Sequence, residues 1–506
     1  MKLKYITAAL SAMLLATACS DDFLNRKPYG STTNEDLGFS ENELYLGMVF
    51  DTYGHLRSYD VSAMPFVGIT SVTSGDADKG STPTDSPEMG QLANFTFNAD
   101  NGLISAWYTG NFAGVSKANE ALSFLATAPQ NDSIEVMKAE SRFMRALYYF
   151  NLVRAFGGMP IVDHKLEQDE QSPARSSLAA TYDFIREDLE YAAPLLPEKS
   201  TAGTKWYGRA TRGAAKAYLA KVYLYQKNWS EAYRLTSEII TSGEYNLSTP
   251  YDKIFTEAEE NGPESVFETQ CDQNILYGQS IGSQYAEVQG VRGSLNLGWG
   301  FNVPSQRLLD AYEEGDPRKD ATVIFRGTYV EPGELVPADA DNPYYNKKVY
   351  PWIDERNKPN RDFWNGYWQK GSWIDIRLMR YADVVLMNAE AACELGNTTD
   401  ALAKLEMVRT RARGGNKNIL PEVKTTDIPK LRAAIHHERR IELAMEAERY
   451  FDLVRWGEAA EVLGISNVSL YKLIEKDKSF PVVQLGRRKS IPKEQLREWI
   501  DKKSKR

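Results

Sequence analysis

The side chains able to do chemistry are scattered along this chain, and their spacing points to recognition, not turnover. Four histidines (His55, His164, His436 and His437) lack metal-ligand spacing and have no nucleophile beside them. His436-His437 stands among charged residues of a helical pattern and reads as a solvated face. Cys271 and Cys393 form no CxxC or Cys/His cluster, and Cys393 lies in an Ala-rich helical stretch that suits a buried thiol. Asp76-Ala-Asp78-Lys-Gly80 opens like a calcium loop but lacks the later ligands, including the closing Glu. There is no Gly-rich phosphate loop, and no carboxylate pair takes acid and base roles from spacing alone. The residues therefore imply no enzyme, no metal and no cofactor. Residues 344–373 are different: they hold nine aromatics in thirty positions, against 11% for the whole chain. There Trp352, Trp364, Tyr367 and Trp368 stand close to Asp354, Arg356, Asn357 and Asn365. Flat apolar faces beside hydrogen-bonding groups are the materials of a recognition surface.

Helical hairpins are the elements available to position these residues. In 213–241, Ala217, Ala220, Tyr223 and Leu224 line one helical face, Lys227-Asn228-Trp229 turns, and Ala232, Leu235, Ile239 and Ile240 line the next. Residues 382–410 repeat the plan, and a looser pair runs from Trp107 to Leu125 and from Ala139 to Phe156. Small residues at the crossings with aromatics beside them resemble tetratricopeptide repeats, although generic helical hairpins share the same period. Between the hairpins, 68–100, 270–305 and 327–373 are rich in Gly, Pro, Asn, Asp and aromatics without a helical period. They read as long functional loops.

At 506 residues, with 42% hydrophobic and 25% charged residues, the chain can bury a sizeable core. Its net charge of -9 argues against a nucleic-acid-binding body. That charge is uneven: residues 459–506 hold 12 Lys/Arg against 6 Asp/Glu, a net of +6, which leaves -15 on residues 1–458. At the other end, Lys2 and Lys4 precede an apolar stretch from Ile6 to Ala18, too short to span a membrane and typical of a secretory signal. Ala16-Thr17-Ala18-Cys19 resembles a lipobox, which makes 1–18 a lipoprotein signal peptide and Cys19 the lipid attachment site. The alternative is a plain secreted protein with an incidental cysteine. Ser20-Asp21-Asp22 resembles the acidic tag for the outer face.

Several long segments carry a family resemblance. Ala139 to Pro160, Tyr182 to Leu189, Gly208 to Ala214, Arg377 to Asp383, Glu438 to Ala444 and Glu448 to Gly457 resemble, in order, the signature segments of the SusD/RagB family. The resemblance covers 19–457. It implies a mainly α, tetratricopeptide-like scaffold with long aromatic-rich loops. It further implies a lipid-anchored protein on the outer-membrane surface that captures glycans, or peptides in some branches, for a SusC-like TonB-dependent barrel transporter. Glycan sites place aromatic platforms near polar side chains, so Trp352, Trp364, Tyr367 and Trp368 with their polar neighbours become candidate contacts. Asp76, Asp78, Lys79 and Asn94 join them, lying where family members often place polar contacts. Arg142, Arg145, Arg439, Arg440 and Arg455, interleaved with Glu140, Glu438, Glu442 and Glu448, are expected to join helices by charge-assisted pairs. Trp456 and Tyr148-Tyr149-Phe150 are expected in the core.

Beyond Gly457 a Phe-Pro-Ile-Pro-like ending is expected of the family and is not found. Residues 458–506 instead resemble an excisionase-type, MerR-like winged helix-turn-helix. Ser466 would cap the recognition helix, with Asn467, Ser469, Tyr471 and Lys472 toward DNA. Phe480 to Lys489 would form the wing, with Arg487 and Arg488 on phosphates. The chain is thus expected to be either a surface glycan-binding lipoprotein with a fused or rearranged tail, or an intracellular DNA-binding regulator.

Overall fold

Helices in this chain begin where a short polar side chain can accept hydrogen bonds from the first free amides. Asn101 accepts from Leu103 and Ile104, Asn131 from Ile134 and Ser177 from Ala180. Thr211, Asn228, Asn397 and Asp427 do the same for later helices. The computed structural model describes residues 40–458, apart from 168, 171–172, 274–280, 332, 362 and 364–370, together with the backbone of 483–485 and 488–490. Among these residues, ten helices reach eight residues or more. They are α1 (Glu41–Gly54), α2 (Gly102–Ala126), α3 (Asp132–Phe156), α4 (Leu178–Leu195), α5 (Arg212–Tyr225), α6 (Trp229–Ser242), α7 (Tyr381–Glu394), α8 (Thr398–Arg413), α9 (Ile428–Glu442) and α10 (Arg449–Trp456). No helix among the described residues is long and apolar enough to cross a membrane.

The chain divides into two units, Met1–Gly47 and Met48–Arg506. The first is described from residue 40, where the Ser40 amide and hydroxyl both donate to the Glu43 carboxylate in the opening turn of α1. In the second, α2 packs on α3, α3 on α4, α4 on α5, α5 on α6 and α6 on α7, with α8 and α9 against α7. The helical pairs expected from residue spacing are all present. Close approach of α2 and α3 requires Gly114: a Cβ there would meet the Tyr148 ring at 2.5 Å. Tyr148, Tyr149 and Phe150 are fully buried in the helical core, and Cys393 is buried as expected. His436 departs from expectation. It is half-buried and stacks on the half-buried Trp456, with ring centroids 3.5 Å apart.

The signature arginines and glutamates do join helices, but with partners drawn from distant segments. Arg145 holds Asp188 of α4 at 2.8 Å. Arg439 holds Asp383 of α7 at 2.5 Å and Asp452 of α10 at 2.9 Å. Glu438 and Glu442 both meet Arg318, and Arg455 meets Glu390 at 2.5 Å. Each charged side chain is buried, so removing one partner would strand the other in a low dielectric.

The segments read as loops turn out to build a second core. The described residues form five short antiparallel pairs, and the segments read as loops supply β1, β3, β5, β6 and β7: β1 (Ala77–Gly80) with β3 (Phe301–Pro304), β2 (Ser265–Thr269) with β8 (Ile376–Arg380), β4 (Val323–Phe325) with β7 (Tyr344–Asn346), β5 (Tyr329–Glu331) with β6 (Glu334–Leu335), and β9 (Val483–Leu485) with β10 (Arg488–Ser490). Strands of two to five residues show too few alternations to register as a period. Tyr345, Tyr350, Phe363 and Trp373 are buried there with Val67, Trp107 and Phe451, so part of the aromatic density of 344–373 serves packing.

Candidate functional site

One groove gathers polar and aromatic side chains from the early and late segments. Its first wall is β1, whose alternation turns Ala77 into the core and Asp78 outward. Asp78 lies opposite Val303 of β3, and Gly80 opposite Phe301. Gly80 has φ +70° and its missing Cβ would sit 2.2 Å from the Gly300 carbonyl, so only glycine lets the two strands approach this closely. The helix Pro87–Ala93, capped by Ser86, delivers Gly90 and Asn94 to the same space. Tyr344, the first residue of β7, supplies the aromatic ring. The result is an open groove of about 610 Å³, with an apolar share from Val303, Pro304 and Pro343.

The tyrosine is held firmly. Its ring meets Phe325 edge-on at 5.6 Å, and its hydroxyl donates to Gln306 Oε1 at 2.8 Å. Gln306 Nε2 in turn donates to Asp310 Oδ1 at 2.7 Å. Lys79 Nζ donates to the Thr82 carbonyl at 2.6 Å and to that of Pro83 at 3.5 Å, leaving one ammonium proton for a ligand. Surrounding protein raises the Asp78 carboxyl above the usual carboxylate range, against the pull of Arg307. Burial lowers the Lys79 ammonium, against Asp85.

Asp78, Lys79 and Asn94, three of the four early candidates, therefore line one groove. The fourth, Asp76, turns away. It is buried and accepts from Arg440 of α9 through Nε at 3.0 Å and Nη2 at 2.5 Å, which commits its carboxylate to the scaffold. Arg356 is likewise committed: it is buried, donates to Glu334 and lies 5.7 Å over the Phe363 ring. Trp352 is half-buried, edge-on to Tyr350 at 5.1 Å, with the Lys347 ammonium 6.0 Å from its ring centre. Asp354 and Asn357 are exposed in and beside the turn Ile353–Arg356. None of 352–357 lines the groove. Trp364, Asn365, Tyr367 and Trp368 lie outside the described residues, as do Cys19, Asn467, Ser469, Tyr471, Lys472 and Arg487; Arg488 is described only as backbone of β10. Tyr344, Gln306 and Asn342 were not expected at a site. Alternation across Tyr344-Tyr345, one half-buried and one fully buried, was the available signal.

Two family profiles match this chain. One, described as "Starch-binding associating with outer membrane", covers residues 22–224, and the other, described as "SusD family", covers 263–499. Over these two stretches the chain is similar to the SusD family. A SusD-like protein of Formosa agariphila is 27% identical over 494 residues, spanning 91% of this chain and 92% of the relative. A SusD-like protein of Bacteroides ovatus is 29% identical, spanning 90% and 83%. Among solved structures, a laminarin-binding SusD-like protein superposes with a TM-score of 0.71 at 28% identity, over 84% of this chain and 94% of that one. The SusD-family match runs on past Gly457 to residue 499, beyond the point where the signature segments end.

Proposed function

We propose that this SusD-like chain is a non-catalytic surface protein that captures glycans for a TonB-dependent outer-membrane transporter, with the groove beside β1 as its glycan site. The observation that carries this reading is the company Tyr344 keeps: a fixed aromatic side chain lining the same open groove as Asp78, Lys79 and Asn94. A sugar offers an apolar C–H face for the ring and hydroxyls that both donate and accept, which a carboxylate, an ammonium and an amide can meet. The likeness to a laminarin-binding protein supports a glycan over a peptide. Anchoring at Cys19 is the expected tether, and Trp364, Tyr367 and Trp368 remain proposed platform residues. A glycan array probed with the full chain tests the reading, with chromatography of the bound oligosaccharide to detect shortening. Saturable binding with intact glycan is expected. Binding of no glycan, or cleavage, overturns it.

A second activity, DNA binding by 458–506, is favoured by one observation. Strands β9 and β10 pair antiparallel, Leu485 opposite Arg488, in the segment expected to form a wing. Weighing against it, the SusD-family match runs through this segment to residue 499. Fluorescence anisotropy of the full chain with duplex DNA tests it: salt-sensitive binding weakened by Arg487→Ala and Arg488→Ala supports the tail as a DNA reader, and no binding removes it.

A further inference from the structure

The charges in and around the groove bear on which glycans it can accept. Three cations, Lys79, Arg292 and Arg307, stand in or around it with four carboxylates, Asp78, Asp85, Asp310 and Asp341. Arg292 is held by Asp85 at 2.8 Å and by Asp341 at 2.9 Å, and it also donates to Ser81 Oγ at 3.0 Å. The same Asp85 accepts from Ser81 Oγ at 2.7 Å. Lys79 stands within the field of Asp85, and Arg307 within that of Asp78. The carboxylates among these groups outnumber the cations by four to three, and Lys79 is the cation that lines the open space. The carboxylate that faces the open space is that of Asp78, exposed on the outer side of β1 and without a side-chain hydrogen bond among the described residues. A carboxylate can only accept, so its partner must be a donor such as a sugar hydroxyl.

Resting on the glycan reading above, we infer that this groove selects neutral oligosaccharides and rejects those bearing uronate or sulfate, with Asp78 as the residue that sets this discrimination. An anionic sugar seated against Tyr344 would bring its charge toward Asp78 with no uncommitted guanidinium to receive it. Specificity here is a repulsion built into the site as much as an attraction.

The test uses the full chain and two sets of six-unit oligosaccharides. The neutral set is laminarihexaose with its manno-, xylo- and galacto-counterparts; the anionic set is hexagalacturonate, hexamannuronate and a sulfated carrageenan oligomer. Neutral members are expected to bind, with anionic ones roughly ten-fold or more weaker, because facing like charges are costly. Asp78→Lys should bring the two sets to within about three-fold of each other by supplying the missing counter-charge. Tighter binding of an anionic member by the unaltered chain, lost in Lys79→Met, overturns the charge selection while leaving glycan capture intact. An unchanged neutral-to-anionic ratio in Asp78→Lys, with the variant still binding neutral sugar, overturns the role of Asp78. Binding to neither set overturns the glycan reading itself.

Discussion

Asp78 and Asp76 are two residues apart and serve opposite purposes. Asp78 faces solvent in the groove, and Asp76 is buried against Arg440. Sequence placed both at a site, because residue type and neighbourhood were legible; the distant arginine that claims Asp76, 364 positions away, was not. Arg356 was misplaced for the same reason, with Glu334 as the claimant. Asp76→Ala should therefore cost about 3 kcal/mol of stability in urea denaturation, by leaving Arg440 without its buried partner. Tyr344→Ala should cost some stability through its contacts with Phe325 and Gln306, and should weaken binding of whichever array glycan the full chain takes up by roughly 1–3 kcal/mol, through loss of an aromatic platform. Calorimetric titration reads that loss directly.

At the scale of elements, the long helices were legible because their caps and apolar spacing are local, whereas the second core was not. Strands as short as β4 and β7 are held in place by partners twenty residues or so away, and no local pattern announces them. Helix crossing has a sharper requirement. Gly114→Ala would drive a methyl into the Tyr148 ring and should lower stability by about 1–3 kcal/mol, as overpacking does. The short helix Tyr285–Gln289 carries a pH dependence. Burial pushes the Glu287 carboxyl up to about 8, with Gln284 holding it partly down. A carboxyl raised on folding favours the protonated native state, so its contribution is complete below the ordinary carboxylate range and lost as pH rises through about 8. Glu287→Gln, which stays neutral, should overtake the unaltered chain as pH goes from 5 to 8, by on the order of 2 kcal/mol. Thermal melts at the two pH values would show this; a constant gap between the proteins would mean that Glu287 ionises freely.

For the whole molecule, the resemblance to the SusD family was legible in the long signature segments, since those segments hold the buried ion pairs between helices. Arg439, tied to both α7 and α10, is one such residue. The ending was harder to read, because the basic residues beyond Gly457 lie in a stretch that the SusD-family match also covers. The proposed tether makes its own prediction: Cys19→Ala should prevent acylation and remove the protein from the outer-membrane fraction, and unchanged palmitate labelling would contradict it. The central claim is that the groove beside β1 captures the glycan. It is tested most directly by a crystal structure of the full chain soaked with an oligosaccharide identified on the array. The account predicts a sugar ring against Tyr344 with hydroxyls on Asp78, Lys79 or Asn94. A sugar bound elsewhere, with this groove empty, would contradict it.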